Sequence, residues 1–404
     1  MKRFLLDCFL ATLFVFGVLV AIREISQLNI FNVFDPLGQS LGDMEITDIT
    51  FSRLRDDPPI DTNIVIVNIG SLPRAGIAQQ IRVINQFNPK VIGIDSFFDC
   101  KDCPSGQIDS ICCPLAYDTL NNLLLGSAIS EAGNVVMVTK LLQTNALVKK
   151  YGDINVYDSL EQTDEIIRGT AFEGYANLET DADHQEDLKS CRRFNPTVKV
   201  GKDQHYAFAV RMAMLYDSTK TAKFLERGNY SEVINYRGNI LDLYGASEFP
   251  GRYYTLDWDQ ALDPESFAPG LFKDKIVIMG FLGNDLRDTS WDDKFFTPLN
   301  KNYAGKTRPD MYGVVVHANI VSMILSEDYI EDLTLWEQIL VAFIICFLNV
   351  ALFSVLNERE NLKDWFDGIA LLIQLAQIIV CTVIMIFVFK WFNYKLNLTY
   401  TLAA

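Results

Sequence analysis

The sequence predicts an α/β domain, with a mixed central sheet flanked by helices, held between three transmembrane helices. Three observations predict it. Apolar runs occupy Phe4–Ala21, Leu335–Leu356 and Gly368–Phe389, and a bilayer core about 30 Å thick takes about 20 apolar residues of helix. The long stretch between the first and second runs is polar and holds no run of that kind. Within it, β-branched segments alternate with segments of helical spacing, the pattern of a parallel sheet covered by helices. The organisation read from the chain is a transmembrane helix at 1–22 and an extracytoplasmic domain at 23–334. A transmembrane helix at 335–356, a cytoplasmic hairpin at 357–367, a transmembrane helix at 368–390 and a short tail at 391–404 complete it.

Orientation follows from the flanking bases. Lys2 and Arg3 precede the first run, and Arg359 and Lys363 lie in the short hairpin. Basic residues stay in the cytoplasm, which places the domain outside; Glu358, Glu360, Asp364 and Asp367 in the same hairpin weigh little. Val18–Glu24 offers no small-x-small cleavage site, so the first run reads as a retained anchor rather than a removed signal peptide. A formal net charge of -16 excludes sequence-independent nucleic-acid binding, which needs Lys and Arg to neutralise phosphates. It also argues against the domain lying flat on anionic lipid.

The elements follow in order. Asn63–Ile69, bounded by Pro58-Pro59 and Gly70, predicts a buried strand. Residues 74–88 carry Ile77, Ile81, Ile84 and Phe87 at helical spacing. Val91–Phe98 predicts a second strand, Leu115–Ala132 a helix with Leu120, Leu123, Leu124 and Ile129 on its apolar face, and Asn134–Lys140 a third strand. Gly174–Leu178 predicts a short strand and Tyr206–Tyr216 an amphipathic helix. Glu232–Tyr236, Tyr253–Leu256 and Lys275–Gly280 predict further strands, and Val314–Leu325 begins extended and becomes helical. The sheet should hold roughly six to eight strands.

Five cysteines fall in the domain. Cys100, Cys103, Cys112 and Cys113 crowd into a turn-rich loop with Pro104, Gly106 and Pro114. Outside the cytoplasm such a cluster reads as two disulfides, with the connectivity open. A zinc knuckle is the rival reading, disfavoured because adjacent ligands at Cys112 and Cys113 strain a tetrahedron. Cys191 is then left over or exchanged into a pair.

These residues carry a resemblance to the second class of CHASE domain, the extracellular sensory domain associated with bacterial cyclases and histidine kinases. The entry segment Phe51–Arg55 with Pro58-Pro59, the strand Asn63–Ile69, and Val91–Phe98 are similar to the family's opening blocks. Gly133–Val136, Gly174–Asn177 with Asp181–Asp183, and the basic pair Arg192-Arg193 follow. The clearest block is Phe272–Gly280, Asp288, Phe296–Pro298 and Met311–Asn319. Two features depart from the pattern: Gly70-Ser71 stands where the family carries an acidic pair, and the cysteine loop is an insertion. The resemblance implies a bacterial cytoplasmic (inner) membrane protein whose domain faces the periplasm. The family has three spans after the domain, so residues 396–404 read as the start of another span or as a tail ending outside.

Candidate site residues are few. Asp95 and Asp288 come at or beyond strand ends, where α/β sheets bind ligands, although capping of the next loop explains either as well. His317 opens a helix after three valines, where a hydrogen-bonded core histidine is the simpler reading and a ligand contact the alternative. Glu179–Asp187 imitates the start of a calcium loop but has Glu186 where glycine is required and Arg192 where the bidentate Glu belongs, so no metal and no cofactor are expected. No nucleophile elbow, zinc-protease helix or phosphate-binding loop is present, and the chain is not expected to be an enzyme. Two functions remain: a sensory, signal-input protein that binds a small-molecule ligand or partner and relays through other membrane or periplasmic proteins, or a structural subunit of a cell-envelope complex. Membrane lipid and a possible homo-oligomer complete the expected partners.

Overall fold

The structure, a computed structural model, describes residues 2–26, 45–98, 118–144, 157–178, 190–241, 251–288, 290–301, 308–358 and 365–396. Cys100, Cys103, Cys112 and Cys113 lie outside them, as do Asp181–Asp183, Glu186 and Arg359 and Lys363 of the hairpin. The chain divides into two units: Asp56–Tyr329, and Met1–Arg55 together with Ile330–Ala404.

The Asp56–Tyr329 unit is built on a mixed sheet of eight described strands. These are β1 (Asp61–Asn68), β2 (Val91–Asp95), β3 (Val135–Leu142), β4 (Ser159–Glu161), β5 (Phe172–Tyr175), β6 (Asn239–Ile240), β7 (Gly251–Leu256) and β8 (Ile276–Gly280). Their spatial order is β6-β7-β1-β8-β2-β3-β4, with β5 also on β3. All pairs are parallel except β3 with β4. The central strands are apolar on both faces because helices cover both. On one face α2 (Arg74–Asn85) and α3 (Thr119–Ala132) pack against Val65, Val67, Ile92, Ile94, Val277 and Met279. On the other lie α4 (Phe208–Tyr216), followed by α5 (Ser218–Glu226), and α6 (Gly313–Ser326). Gly93 and Gly174 let α4 approach: a Cβ at 93 would stand 2.9 Å from Phe208 Cζ, and one at 174 would stand 2.7 Å from Phe208 Cα.

Three expectations are corrected. Leu120 and Leu123 of α3 point outward, 68% and 54% exposed, while Asn122, Leu125, Gly126, Ala128 and Ile129 are buried. The face is turned because Arg74 donates from Nη1 to the Asn122 amide oxygen and because Gly126 lies against the Ile166 carbonyl, where a Cβ would meet it at 2.2 Å. Glu232–Val233 pairs with Arg193–Phe194 in a separate ribbon and is no part of the sheet. The segment expected to begin extended at Val314 is helical from Gly313 onward; only Met311–Tyr312 is extended. Every residue of α6 from Gly313 to Leu325 is buried.

At the amino ends of β1 and β7 a polar cluster is enclosed. Ser322 of α6 donates to Asp61 Oδ2 at 2.6 Å and accepts from Arg252 Nη2 at 2.8 Å. Arg252 stands 3.6 Å from the same carboxylate.

The second unit contains α1 (Lys2–Ser26), α7 (Leu335–Asn357) and α8 (Phe366–Phe392). Among the described residues α7 and α8 are long and apolar enough to cross a membrane, two helices rather than the three expected. The run Phe4–Ala21 is helical within α1. Phe343 of α7 meets Phe9 and Phe16 of α1 at ring separations of 5.8 and 5.6 Å. Gln377 of α8 donates to the Asn349 amide oxygen of α7 at 2.7 Å.

A collar gathers the ends of these helices. Thr334 and Glu337 form a capping box that starts α7, and Asn393, at φ +52°, ends α8. Beyond that stop Tyr394–Lys395 pairs in parallel with Glu331–Asp332. The π-helical turn Thr50–Leu54 brings Phe51 to Phe389 at 5.1 Å. The Arg55 guanidinium lies over both rings, 4.5 and 4.9 Å from their centres, and donates to Asn393 Oδ1 at 2.7 Å. Lys395 pairs with Glu45 at 2.5 Å.

Candidate functional site

Asn68, Asp95, Leu256 and Gly280 end their parallel strands along one edge of the sheet. Neighbouring β8 and β2 pair in register with Gly280 opposite Asp95. The helix that follows β2 in the described chain is α3 on one face, whereas β8 leads to α6 on the other. Connections that diverge in this way mark the carboxyl ends of β8 and β2 as the place where α/β sheets receive ligands. Gly280 is required there, since a Cβ would stand 2.8 Å from Val314 Cβ and 3.3 Å from Asp95 Cβ.

Part of this edge is scaffold. Asn68 Nδ2 donates to Asp257 Oδ1 at 2.8 Å and to the Gly283 carbonyl at 3.1 Å. Its Oδ1 accepts from the Gly70 and Leu282 amides, each at 2.9 Å. Asp257 Oδ2 accepts from the Leu286 amide at 3.1 Å. Asp288 is equally committed: it accepts from the Asn284 and Ser290 amides, both at 2.8 Å. These bonds hold its carboxyl below the usual carboxylate range, because they favour the charged form. Gly283, at φ +94°, permits that loop; a Cβ there would lie 2.4 Å from Asp288 Cβ.

Asp95 is different. Among the described residues its carboxylate accepts no hydrogen bond. Burial, and after it the charge of Asp293, push it up to about 7. Asp293, at φ +56°, also accepts no bond on its carboxylate among the described residues. Its residue surface meets water, yet the surrounding protein raises it to about 6. A Cβ on Gly313, the first residue of α6, would stand 3.6 Å from both Asp293 carboxylate oxygens. Next to it Lys294 lies opposite Tyr312 in a two-residue ribbon, its Nζ 4.5 Å from the ring centre. Burial lowers the lysine, an effect opposed by Asp288. The edge thus presents two acids that accept no hydrogen bond among the described residues and a cation held on an aromatic face, an arrangement suited to a polar ligand that brings its own donors.

Of the residues singled out from sequence, Asp95 and Asp288 share this edge and His317 does not line it. His317 is 3% exposed and meets Phe208 edge-on at 5.3 Å. Burial drives it down to about 4 against a bond to the Ala176 backbone, so it is a neutral core residue. Asp293, Lys294 and Tyr312 were not singled out; the left-handed turn that an Asp-Asp pair tolerates was their one sequence signal. Among the described residues no group of three or more His, Cys, Asp or Glu is placed to hold a metal ion.

A family model of the CHASE2 domain matches residues 15–353. The chain belongs to the CHASE2 domain family. CHASE2 domains are sensory, so these strand ends belong to a fold used for signal input. No curated protein and no solved structure matches the chain. In this CHASE2 domain Gly70-Ser71 closes the end of β1: a Cβ at Gly70 would stand 2.9 Å from Trp258 Cδ1, and Ser71 donates to Asn284 Oδ1 at 2.8 Å.

Proposed function

We propose that this protein is a membrane-anchored signal-input protein whose CHASE2 domain binds a polar extracytoplasmic ligand at the Asp95 strand end and relays its occupancy through its spans to other membrane proteins. It is not an enzyme on this reading. The observation that carries it is the pair Asp95 and Asp293, whose carboxylates accept no hydrogen bond among the described residues, with Asp293 beside Gly313, the first residue of α6. That helix runs from Gly313 to Ser326, and residues 327–334 alone separate it from α7. A ligand shifts a conformational equilibrium only through contacts that differ between states, and a fully buried helix offers discrete packings rather than gradual drift.

Support for the membrane comes from tryptophans. Exposed Trp336 and Trp391 mark one end of the α7–α8 pair and exposed Trp365 the other, as in the interfacial belts of spanning helices. The third span is α1, and the membrane is the bacterial inner membrane with the domain in the periplasm. In a thermal-shift screen of the detergent-purified full-length protein against polar metabolites, binders should raise the melting temperature of the wild type and not of Asp95→Asn. Equal shifts in both proteins would remove the Asp95 strand end from the reading.

One observation favours a second reading, a structural subunit of an envelope complex. Leu120, Leu123, Ile166 and Phe172 stand exposed on adjoining elements, the apolar character an assembly surface requires. A stoichiometric co-purifying partner lost on Leu120→Ser/Leu123→Ser, with no ligand shift, would decide for it.

A further inference from the structure

We infer that α8 is the contact between two copies of this chain, and that Gln374 makes it through a reciprocal amide hydrogen bond inside the bilayer. This rests on the membrane reading above. Gln374 is exposed on α8, and among the described residues its amide has no hydrogen-bond partner. Its neighbour Gln377 is satisfied by Asn349 within the same chain; Gln374 is not. At 1.5 Å per residue it lies about 13 Å from Trp365 and about 25 Å from Trp391 along the helix. Those tryptophans mark the interfaces, so its amide sits in hydrocarbon.

An amide there has no water to bond, and leaving it bare is costly. Lipid chains offer neither donor nor acceptor. A second copy does, because it places an identical amide at an identical depth, and a primary amide is complementary to itself under a two-fold axis. The same stripe of α8 continues at Cys381 and Met385. It is buried at Met385 and at nearby Phe389, where the Thr50–Leu54 turn packs. Towards the hairpin it passes half-buried Ala370, whose small side chain lets helices approach. The second copy therefore extends a stripe that the collar already covers at one end.

The test uses the full chain in native membranes, on a Cys381→Ala background. Oxidation of Q374C should yield a species of twice the chain's mass, while L372C, on the far side of the helix, yields none. Q374L should weaken self-association, read by energy transfer between differently labelled copies, about three- to thirty-fold, the range set by interhelical polar bonds; Q374N should retain most of it. Unchanged association of Q374L, equal self-cross-linking at 372, or cross-linking of 374 to a different polypeptide overturns the inference. Extraction of the protein by alkaline carbonate overturns the membrane reading and this inference with it. Retention in the membrane with no cross-link at 374 overturns the pairing alone.

Discussion

At Asp95, burial and a neighbouring charge act in the same direction, and the consequence is a pH dependence. The folded carboxyl is raised from its ordinary 3.8 to about 7. A raised carboxyl leaves stability intact below the unfolded value and removes it as pH climbs through the folded one. Between about pH 4 and pH 7 the domain should therefore lose stability, by about 1–3 kcal/mol once solvent screening is allowed for. Asp95→Asn should be as stable as wild type near pH 4 and more stable above pH 7. Thermal unfolding of the full-length protein across that range checks it; an unchanged slope would place the dependence elsewhere, as at Asp310, which burial also raises to about 7. Asp95 was legible in the sequence because it terminates a β-branched run. Asp293, Lys294 and Tyr312 were not, because a two-residue ribbon brings them together and leaves no periodicity to read.

Among the elements, β1, β7 and α6 depend on one another through Asp61, Arg252 and Ser322. Removing one member of a buried ion pair strands the other, at a cost of about 3–5 kcal/mol, whereas replacing both is far milder. Arg252→Met should lower the denaturation midpoint sharply, and Asp61→Asn/Arg252→Met should recover most of the loss; equal loss in single and double variants would make Arg252 a packing residue instead. Sequence patterning reached the apolar strands well, since Ile64–Val67, Val91–Ile94 and Ile276–Met279 are buried as their composition demands. It failed at α3, where four leucines within six positions left the buried face undetermined by spacing. Arg74 and the Ile166 carbonyl chose Asn122 and Gly126 instead, contacts remote in sequence. The strands β4 and β6 are too short to carry a pattern of their own.

For the whole molecule, the basic residues at both ends of the expected spans lead to a topology that is open to direct measurement. A membrane-impermeant thiol reagent should label Ser231→Cys and not Asn361→Cys in cells with a permeabilised outer membrane and an intact inner one. Labelling at 361 would reverse the orientation. The collar fits this arrangement, since Tyr394–Lys395 returns beside Glu331–Asp332, so that α8 ends where α7 begins. That stitch also has a mechanical corollary. With those two ends pinned at one level, 27 residues of α8 against 23 of α7 leave a difference of four, about 6 Å, to be absorbed at the free end. On the membrane reading proposed above, a change in bilayer thickness should then be felt at the hairpin end, by tilt or protrusion, while the pinned end keeps its register.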